Sequence, residues 1–126
     1  MDWKEKLLTK YSDEFEDCYL FNPPAGWRGL VESLVEYIHW HNMVHESDTK
    51  IYSLEKKHGG LRLVLENKPA APAAAEEIHG AIHLAETMSC KICEVCGSPA
   101  SFRKIRQDDL LILGAYCDEH IPEEND

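Results

Sequence analysis

Three cysteines and one histidine near the C-terminal end have the types and spacing of a metal site. Cys93 and Cys96 form a C-x-x-C-G motif, and Cys117 and His120 form a C-x-x-H motif later in the chain. Two thiolates two residues apart can converge on one ion, and a second pair of ligands then completes a tetrahedron. We therefore predict that these four residues hold a structural Zn²⁺. Four protein ligands leave no open position for a substrate, so we predict no catalysis at this ion.

Two other cysteines could be considered for chemistry. Cys90 lies three residues before Cys93 and is an alternative ligand, although its use would create a C-x-x-C-x-x-C run. Cys18 is isolated on a predicted helix, where a small apolar filler is the more common role. The chain also has no glycine-rich phosphate loop and no nucleophile elbow. We therefore predict that the protein is not an enzyme.

A pair of histidines suggests a second metal site, which we weigh as the weaker hypothesis. His79 and His83 stand at i, i+4 on a predicted helix, a spacing that can present two imidazoles to one metal. Gly80 occupies the place where metalloprotease helices carry a glutamate. A third ligand would have to come from elsewhere, and the available histidines are His39, His41 and His45. We expect surface or core-edge histidines here instead.

Composition limits the class of protein. The chain has 126 residues and a formal net charge of −10, and it lacks the run of roughly 20 apolar residues that spans a bilayer. A chain of this size forms one domain, or one domain with a small module. The N-terminal residues mix charges of both signs, unlike a signal peptide. We therefore predict a cytoplasmic protein with reduced thiols, and no membrane partner. The acidic charge also disfavours binding to nucleic acid.

The periodicity of apolar residues predicts three helices. The first covers 3–19 with a buried stripe, the second covers 27–44 with Trp27 and Trp40 anchoring its two ends, and the third covers 73–88. Prolines and a glycine between Phe21 and Trp27 separate the first two helices. A proline-stiffened linker at about 68–73 precedes the third.

Alternation with a period of two predicts two hairpins. One covers about 50–65 with Gly59-Gly60 at its turn, and the other pairs 101–106 with 110–116 around a turn at 107–109. The second hairpin would carry Cys117 and His120 back to the first cysteine pair. We therefore predict an α+β fold in which helices pack on a small antiparallel hairpin and a zinc ribbon closes the chain. The predicted parts are an α+β domain at 1–89, a zinc-ribbon module at 90–122 and an acidic tail at 123–126.

The order of these motifs resembles a family of small, functionally uncharacterised bacterial and bacteriophage proteins. The resemblance rests on Gly26-Trp27 before an apolar helix, on the segment 57–62 (Lys-His-Gly-Gly-Leu-Arg) and on Ser89, followed by the two ligand motifs. It spans roughly residues 24–121. The family shows Lys-Glu-Lys-Phe where this chain has Glu-Lys-Lys-His at 55–58. The resemblance implies the zinc ligands Cys93, Cys96, Cys117 and His120, and it implies no activity.

These features favour one function over another. We predict a zinc-stabilised, acidic protein–protein interaction module, an adaptor or inhibitor of phage or prophage origin, with an unidentified protein partner. A sharper version has an acidic surface occupying a basic, nucleic-acid-binding groove of that partner, through Asp13, Glu14, Glu16 and Asp17. The alternative is a nucleic-acid-binding ribbon, because basic residues cluster there with Phe102. Those basic residues are Lys91, Arg103, Lys104 and Arg106, and five acidic residues of the same module balance them (Glu94, Asp108, Asp109, Asp118 and Glu119).

Overall fold

The computed structural model describes residues 2–66 and 71–125, which contain three α-helices, one short 3-10 helix and two β-sheets. The α+β fold class predicted from the sequence is confirmed. In chain order the elements are α1 (Trp3–Lys10), β1 (Leu20–Asn22), the 3-10 helix η1 (Ala25–Trp27), α2 (Arg28–His45), β2 (Lys50–Lys57), β3 (Gly60–Glu66), α3 (Pro72–Ser89), β4 (Ser101–Gln107) and β5 (Leu110–Tyr116).

The first sheet has the strand order β1-β2-β3. Strands β2 and β3 form the predicted antiparallel hairpin, and Lys57 pairs with Gly60 next to the turn. The two turn residues, His58 and Gly59, both have positive φ angles, of 53° and 88°. This is the pattern of a tight hairpin turn whose twist matches that of its strands. Strand β1 runs parallel to β2 and was not predicted.

The core lies between this sheet and the helices α2 and α3. One face of α2 is buried at intervals of three and four residues, and β2 and β3 contribute apolar residues from the sheet. The buried side chains include Trp27, Val31, Leu34, Ile38, Ile51, Leu54, Leu61, Leu63, Ile78 and Ile82. Trp27 is fully buried, as predicted for an anchor. The same prediction for Trp40 is wrong, because that side chain is 52% exposed.

The first helix is shorter than the predicted 3–19. Helix α1 ends at Lys10, and residues 11–17 form turns. The carbonyl of Asp13 accepts a hydrogen bond from the Lys50 ammonium at 2.9 Å, and the carbonyl of Glu14 accepts one from the Ile51 amide at 2.7 Å. These carbonyls therefore bind β2 instead of continuing a helix. Tyr11 and Phe15 remain buried, which explains why the apolar spacing looked helical.

Helix α3 matches its prediction closely and is tied to the sheet at its end. It begins at Pro72, and proline is well tolerated in the first turn of a helix. The predicted linker at 68–73 lies partly outside the described residues, and its last two residues already belong to α3. The buried hydroxyl of Ser89 accepts a hydrogen bond from the Leu61 amide at 2.9 Å and donates one to the Glu86 carbonyl at 2.6 Å.

The second sheet is the predicted C-terminal hairpin of β4 and β5. Gln107 pairs with Leu110, so Asp108 and Asp109 form the turn. The following acidic segment also binds this hairpin: the Gln107 side chain donates to the Glu123 carbonyl, and the Asn125 amide donates to the Arg106 carbonyl. Among the described residues, no helix combines the length and the apolar character needed to cross a membrane.

Candidate metal centre

The structure brings together the four side chains predicted to bind a metal. The Sγ atoms of Cys96 and Cys117 lie 3.7 Å apart, and Nδ1 of His120 lies 3.2 Å from Cys117 Sγ and 3.9 Å from Cys93 Sγ. All four ligand atoms lie within 4.8 Å of one another. A tetrahedral zinc ion would separate its sulfur ligands by about 3.8 Å and sulfur from nitrogen by about 3.6 Å. The donor set and its spacing therefore fit a zinc-sized tetrahedral ion.

Backbone hydrogen bonds shape the turn that carries Cys93 and Cys96. The Gly97 amide donates to the Cys93 carbonyl at 2.9 Å, and the Cys93 amide donates to the Ser98 carbonyl at 2.8 Å. Gly97 has a φ angle of 83°, a conformation that is strained for residues with a side chain. This turn, which we call the first knuckle (residues 93–97), explains why glycine follows the second cysteine.

Gly26 and Trp27 pack directly against the first knuckle. The Gly26 amide donates to the Glu94 carbonyl at 2.8 Å, and a Cβ atom on Gly26 would lie 2.1 Å from the Cys93 carbonyl oxygen. The indole Nε1 of Trp27 donates to the Ile92 carbonyl at 3.0 Å. The Gly-Trp pair therefore joins the start of α2 to the metal centre, by a close backbone approach that only glycine allows.

A polar cluster joins the knuckle to β2 and β5. The Glu94 carboxylate accepts hydrogen bonds from the Lys56 ammonium and from the Tyr116 hydroxyl, each at 2.8 Å. Nearby, the β2–β3 turn meets the second hairpin, since a Cβ on Gly59 would come within 2.7 Å of the Phe102 ring and 2.9 Å of Leu113. The ribbon is thus packed against the rest of the fold at the knuckle and at its hairpin.

The site shifts the acidity of its own groups. Burial would raise the pKa of Cys93, but the backbone amides of Cys117, Cys96 and Val95, together with the Cys117 thiol, outweigh burial and lower that pKa to about 6. The pKa of Cys117 is raised, by desolvation first and then by its interactions with Cys96 and Cys93. Burial and the adjacent Glu94 carboxylate raise the pKa of Tyr116, which keeps its hydroxyl protonated as a donor. The lowered pKa favours the thiolate form of Cys93, which is the form that binds a metal.

The alternative ligand Cys90 does not join the four side chains. It follows the end of α3, and its Sγ atom lies 3.8 Å from the Glu86 carbonyl. Cys18 is also removed from the site, and its thiol donates to the Leu20 carbonyl at 3.4 Å. Burial raises the pKa of Cys18, which makes it a poor nucleophile.

The predicted pair His79 and His83 gathers no third ligand within the described residues. Both line a shallow groove of about 290 Å³ between α3 and β3, together with Arg62 and Glu86. His39 lies on α2 and its Nδ1 atom is 2.5 Å from the Glu14 carboxylate. Both side chains are exposed, as expected for surface histidines, and in the described part of the chain they do not gather with His39, His41 or His45.

Three residues that support the centre were not predicted for that role. Gly26 stood out only as part of a Gly-Trp pair before a helix, while Glu94 and Tyr116 lie within or beside the ligand motifs. Their partners come from β2 and from the residues before α2. No sequence signal gives those pairings, because they depend on how the ribbon packs.

Comparisons with protein-family models, with curated proteins and with solved structures found no match. The family resemblance stays a prediction.

Proposed function

We propose that this protein is a zinc-stabilised, acidic protein-interaction module in which a groove between α2 and α3 binds an amphipathic helix of a partner protein. The observation that carries this proposal is an open apolar groove of about 460 Å³ between the two helices. The zinc ion has a structural role in it, because three thiolates and one imidazole fill its four positions. We propose no catalysis at this ion for the same reason.

The groove exposes the side-chain types that form binding sites. It is lined by Leu30, Leu34, Tyr37, Leu84, Met88 and Ile92. Leu84 is 62% exposed and Met88 is 42% exposed, although both are apolar. A contiguous apolar surface of this kind is typical of an interaction site, and methionine adapts its shape to different partners. Trp40 extends the groove, since its ring lies 5.9 Å from that of Tyr37.

The shape and charge of this surface favour one class of partner. A groove between two packed helices accepts the apolar face of a third helix, with anchors at i, i+3 or i+4, and i+7. Exposed Glu36 lies beside Tyr37 and Trp40 at one end of the groove. The chain as a whole carries a net charge of −10. Basic residues flanking the partner's apolar anchors would therefore be attracted to this surface.

The acidic surface considered from the sequence gives weaker support. Glu14 is only 4% exposed and pairs with His39, so it does not belong to a surface for a partner. Glu16 lies 3.2 Å from the Lys50 ammonium. These contacts give both carboxylates partners within the fold. The groove, not this cluster, is the surface that we propose.

A nucleic-acid-binding ribbon is the weaker alternative. Arg103 donates to the Tyr116 carbonyl and to the Asp118 carboxylate, each at 3.0 Å, and is thus engaged within the ribbon. The net negative charge of the chain also repels phosphate backbones. A gel-shift assay with DNA and RNA at two salt concentrations tests this alternative.

The proposed function is tested by a substitution that places a charged side chain in the groove. Leu84→Glu puts a carboxylate among the lining residues, whereas Leu110→Glu puts one on the 69%-exposed end of the ribbon hairpin as a matched control. Proteins captured from cells that produce this chain are identified by mass spectrometry, and each purified candidate is titrated against the three proteins. We expect a helical, basic segment to bind wild type and Leu110→Glu, and to bind Leu84→Glu at least about tenfold more weakly. Equal affinity for Leu84→Glu would reject the groove as the binding site.

A further inference from the structure

One histidine is buried in the fold without a hydrogen bond for its ring nitrogens. His41 lies on α2, is fully buried, and neither of its ring nitrogens has a hydrogen-bond partner among the described residues. A buried polar group without a partner is unfavourable, and native structures rarely keep one without a reason. The surroundings of this imidazole therefore indicate what it does.

Two further ligating side chains lie beside His41. His45 stands one helical turn later on α2, and its ring centroid is 4.5 Å from that of His41. Glu77 approaches from α3, with its Oε2 atom 2.8 Å from His45 Nε2 and 3.6 Å from His41 Nε2. One ligand atom from each of the three residues lies within 4.8 Å of the others. This group contains no sulfur, and it shares no residue with the candidate metal centre at the C-terminal hairpin, which we also call the ribbon centre.

We propose that His41, His45 and Glu77 form a second metal site, which binds Zn²⁺ or a related divalent transition metal. Two imidazoles and one carboxylate are ligands that suit such ions, and three protein ligands leave one coordination position open. Ligands of this kind around a tetrahedral zinc ion would lie about 3.3 Å apart. The distances of 2.8 and 3.6 Å from Glu77 to the two histidines bracket that value.

An ion explains more of the geometry than a simple ion pair does. A hydrogen bond from His45 to Glu77 satisfies those two groups. It leaves His41 without a hydrogen bond, because His41 Nε2 lies 3.6 Å from Glu77 Oε2. An ion between the three groups would bind all of them, including the buried imidazole. The site is also reachable, since the side chains of His45 and Glu77 are 33% and 54% exposed. The fourth coordination position would take a water molecule or a small anionic ligand.

The test compares the zinc content of variants. Zinc bound at the candidate metal centre is the same in all of them and therefore does not affect the difference. Full-length protein is dialysed against Zn²⁺ at micromolar concentration, and the metal bound per chain is measured by elemental analysis and by calorimetric titration. Glu77→Gln and His45→Gln remove a ligand at partly exposed positions. Glu76→Gln and His83→Gln are the matched controls, each on α3 and outside the proposed site.

We expect wild type, Glu76→Gln and His83→Gln to hold one zinc ion more than Glu77→Gln and His45→Gln. The calorimetric affinity for that ion should fall by more than about tenfold in both ligand variants. Co²⁺ gives a second readout, because cobalt at this site lacks the thiolate charge-transfer bands that cobalt shows at the ribbon. Equal zinc content in wild type and Glu77→Gln would overturn the proposal, as would a second ion that His45→Gln retains with full affinity. Neither result would affect the ribbon centre or the groove.

Discussion

Gly26 lies at the closest approach between the helical part of the fold and the metal centre. Its amide binds the Glu94 carbonyl, and its α-carbon faces the Cys93 carbonyl oxygen with no room for a methyl group. The Gly97 of the knuckle is nearly as constrained, since a Cβ there would lie 3.0 Å from the Gly26 carbonyl oxygen. Two glycines thus let two backbone segments pack against each other where side chains would separate them.

Replacement of Gly26 tests this packing. Gly26→Ala must push the first knuckle away from η1, and we expect the free energy of unfolding to fall by about 2–4 kcal/mol, measured by urea denaturation in the presence of zinc. The control is Gly29→Ala, where a Cβ meets nothing within 4 Å and the residue is helical. That change should raise stability by about 0.5–1 kcal/mol. Similar effects of the two substitutions would contradict the close approach.

The lowered pKa of Cys93 predicts how zinc binding at the candidate metal centre would depend on pH. Its pKa is lowered from 9.0 to about 6, so in the folded, metal-free protein its thiolate adds stability above pH 9 that is lost as the pH falls through 6. Between these values Cys93 would bind zinc without releasing a proton, whereas below about pH 6 its proton would have to leave first.

We therefore expect Cys93 to add about one proton to the number released per zinc ion as the pH is lowered through 6, on top of the proton that an imidazole ligand releases in the same range, with a steeper fall of the apparent affinity. Calorimetry in buffers of different ionisation enthalpy measures that number directly. A total rise of only about one proton between pH 8 and pH 5, which the imidazole ligand alone accounts for, would show that the thiol of Cys93 is not acidified in the fold.

At the scale of elements, a buried hydroxyl contributes to the contact between α3 and the sheet. Ser89 is fully buried and accepts the hydrogen bond of the Leu61 amide at the start of β3. Ser89→Ala leaves that amide without its partner, and we expect a loss of about 1–2 kcal/mol in the free energy of unfolding. Hydrogen exchange at the Leu61 amide should accelerate in parallel. Thr87→Ala, an exposed hydroxyl two residues earlier on α3, should change neither quantity appreciably. Unchanged exchange at Leu61 in Ser89→Ala would exclude this role.

The elements differ in how far the sequence predicts them. Helices α2 and α3 and both hairpins follow from periodicity and turn residues, because each buries one regular face or closes a tight turn. The end of α1 does not follow, since it depends on the binding of Asp13 and Glu14 carbonyls to β2. Strand β1 is too short to show alternation, and it gains its place by pairing with β2.

The residues of the two candidate metal sites also differ in how far the sequence predicts them. Its ligands occur as two local pairs, so their spacing along the chain is enough to predict them. Glu94, Lys56 and Tyr116 come from three separate elements, and only the folded chain shows that they meet. The group of His41, His45 and Glu77 combines a visible i, i+4 pair with a carboxylate that α3 supplies. Sequence spacing shows that two histidines share one helix face, but it does not show that α3 brings a carboxylate to them.

At the scale of the whole molecule, the candidate metal centre is packed against the rest of the fold. The knuckle is held by Gly26 and Trp27, and Glu94 on the knuckle binds β2 and β5. Loss of the ion should therefore disturb more than the residues 93–120. The exposed groove between α2 and α3 depends on the same framework, because Ile92 next to the knuckle lines it. Removal of the ion is expected to weaken partner binding as well as stability.

The most direct test of this account is thermal unfolding of the purified protein with and without a strong chelator, compared with a Cys93→Ser, Cys117→Ser double variant. We predict that wild type holds one zinc ion more than the double variant. We also predict that chelation lowers the wild-type Tm by at least about 10 °C, since structural zinc contributes directly to folding. A wild-type protein that gives up its metal to the chelator and keeps its full Tm, or a double variant that binds as much zinc as wild type, would contradict the account.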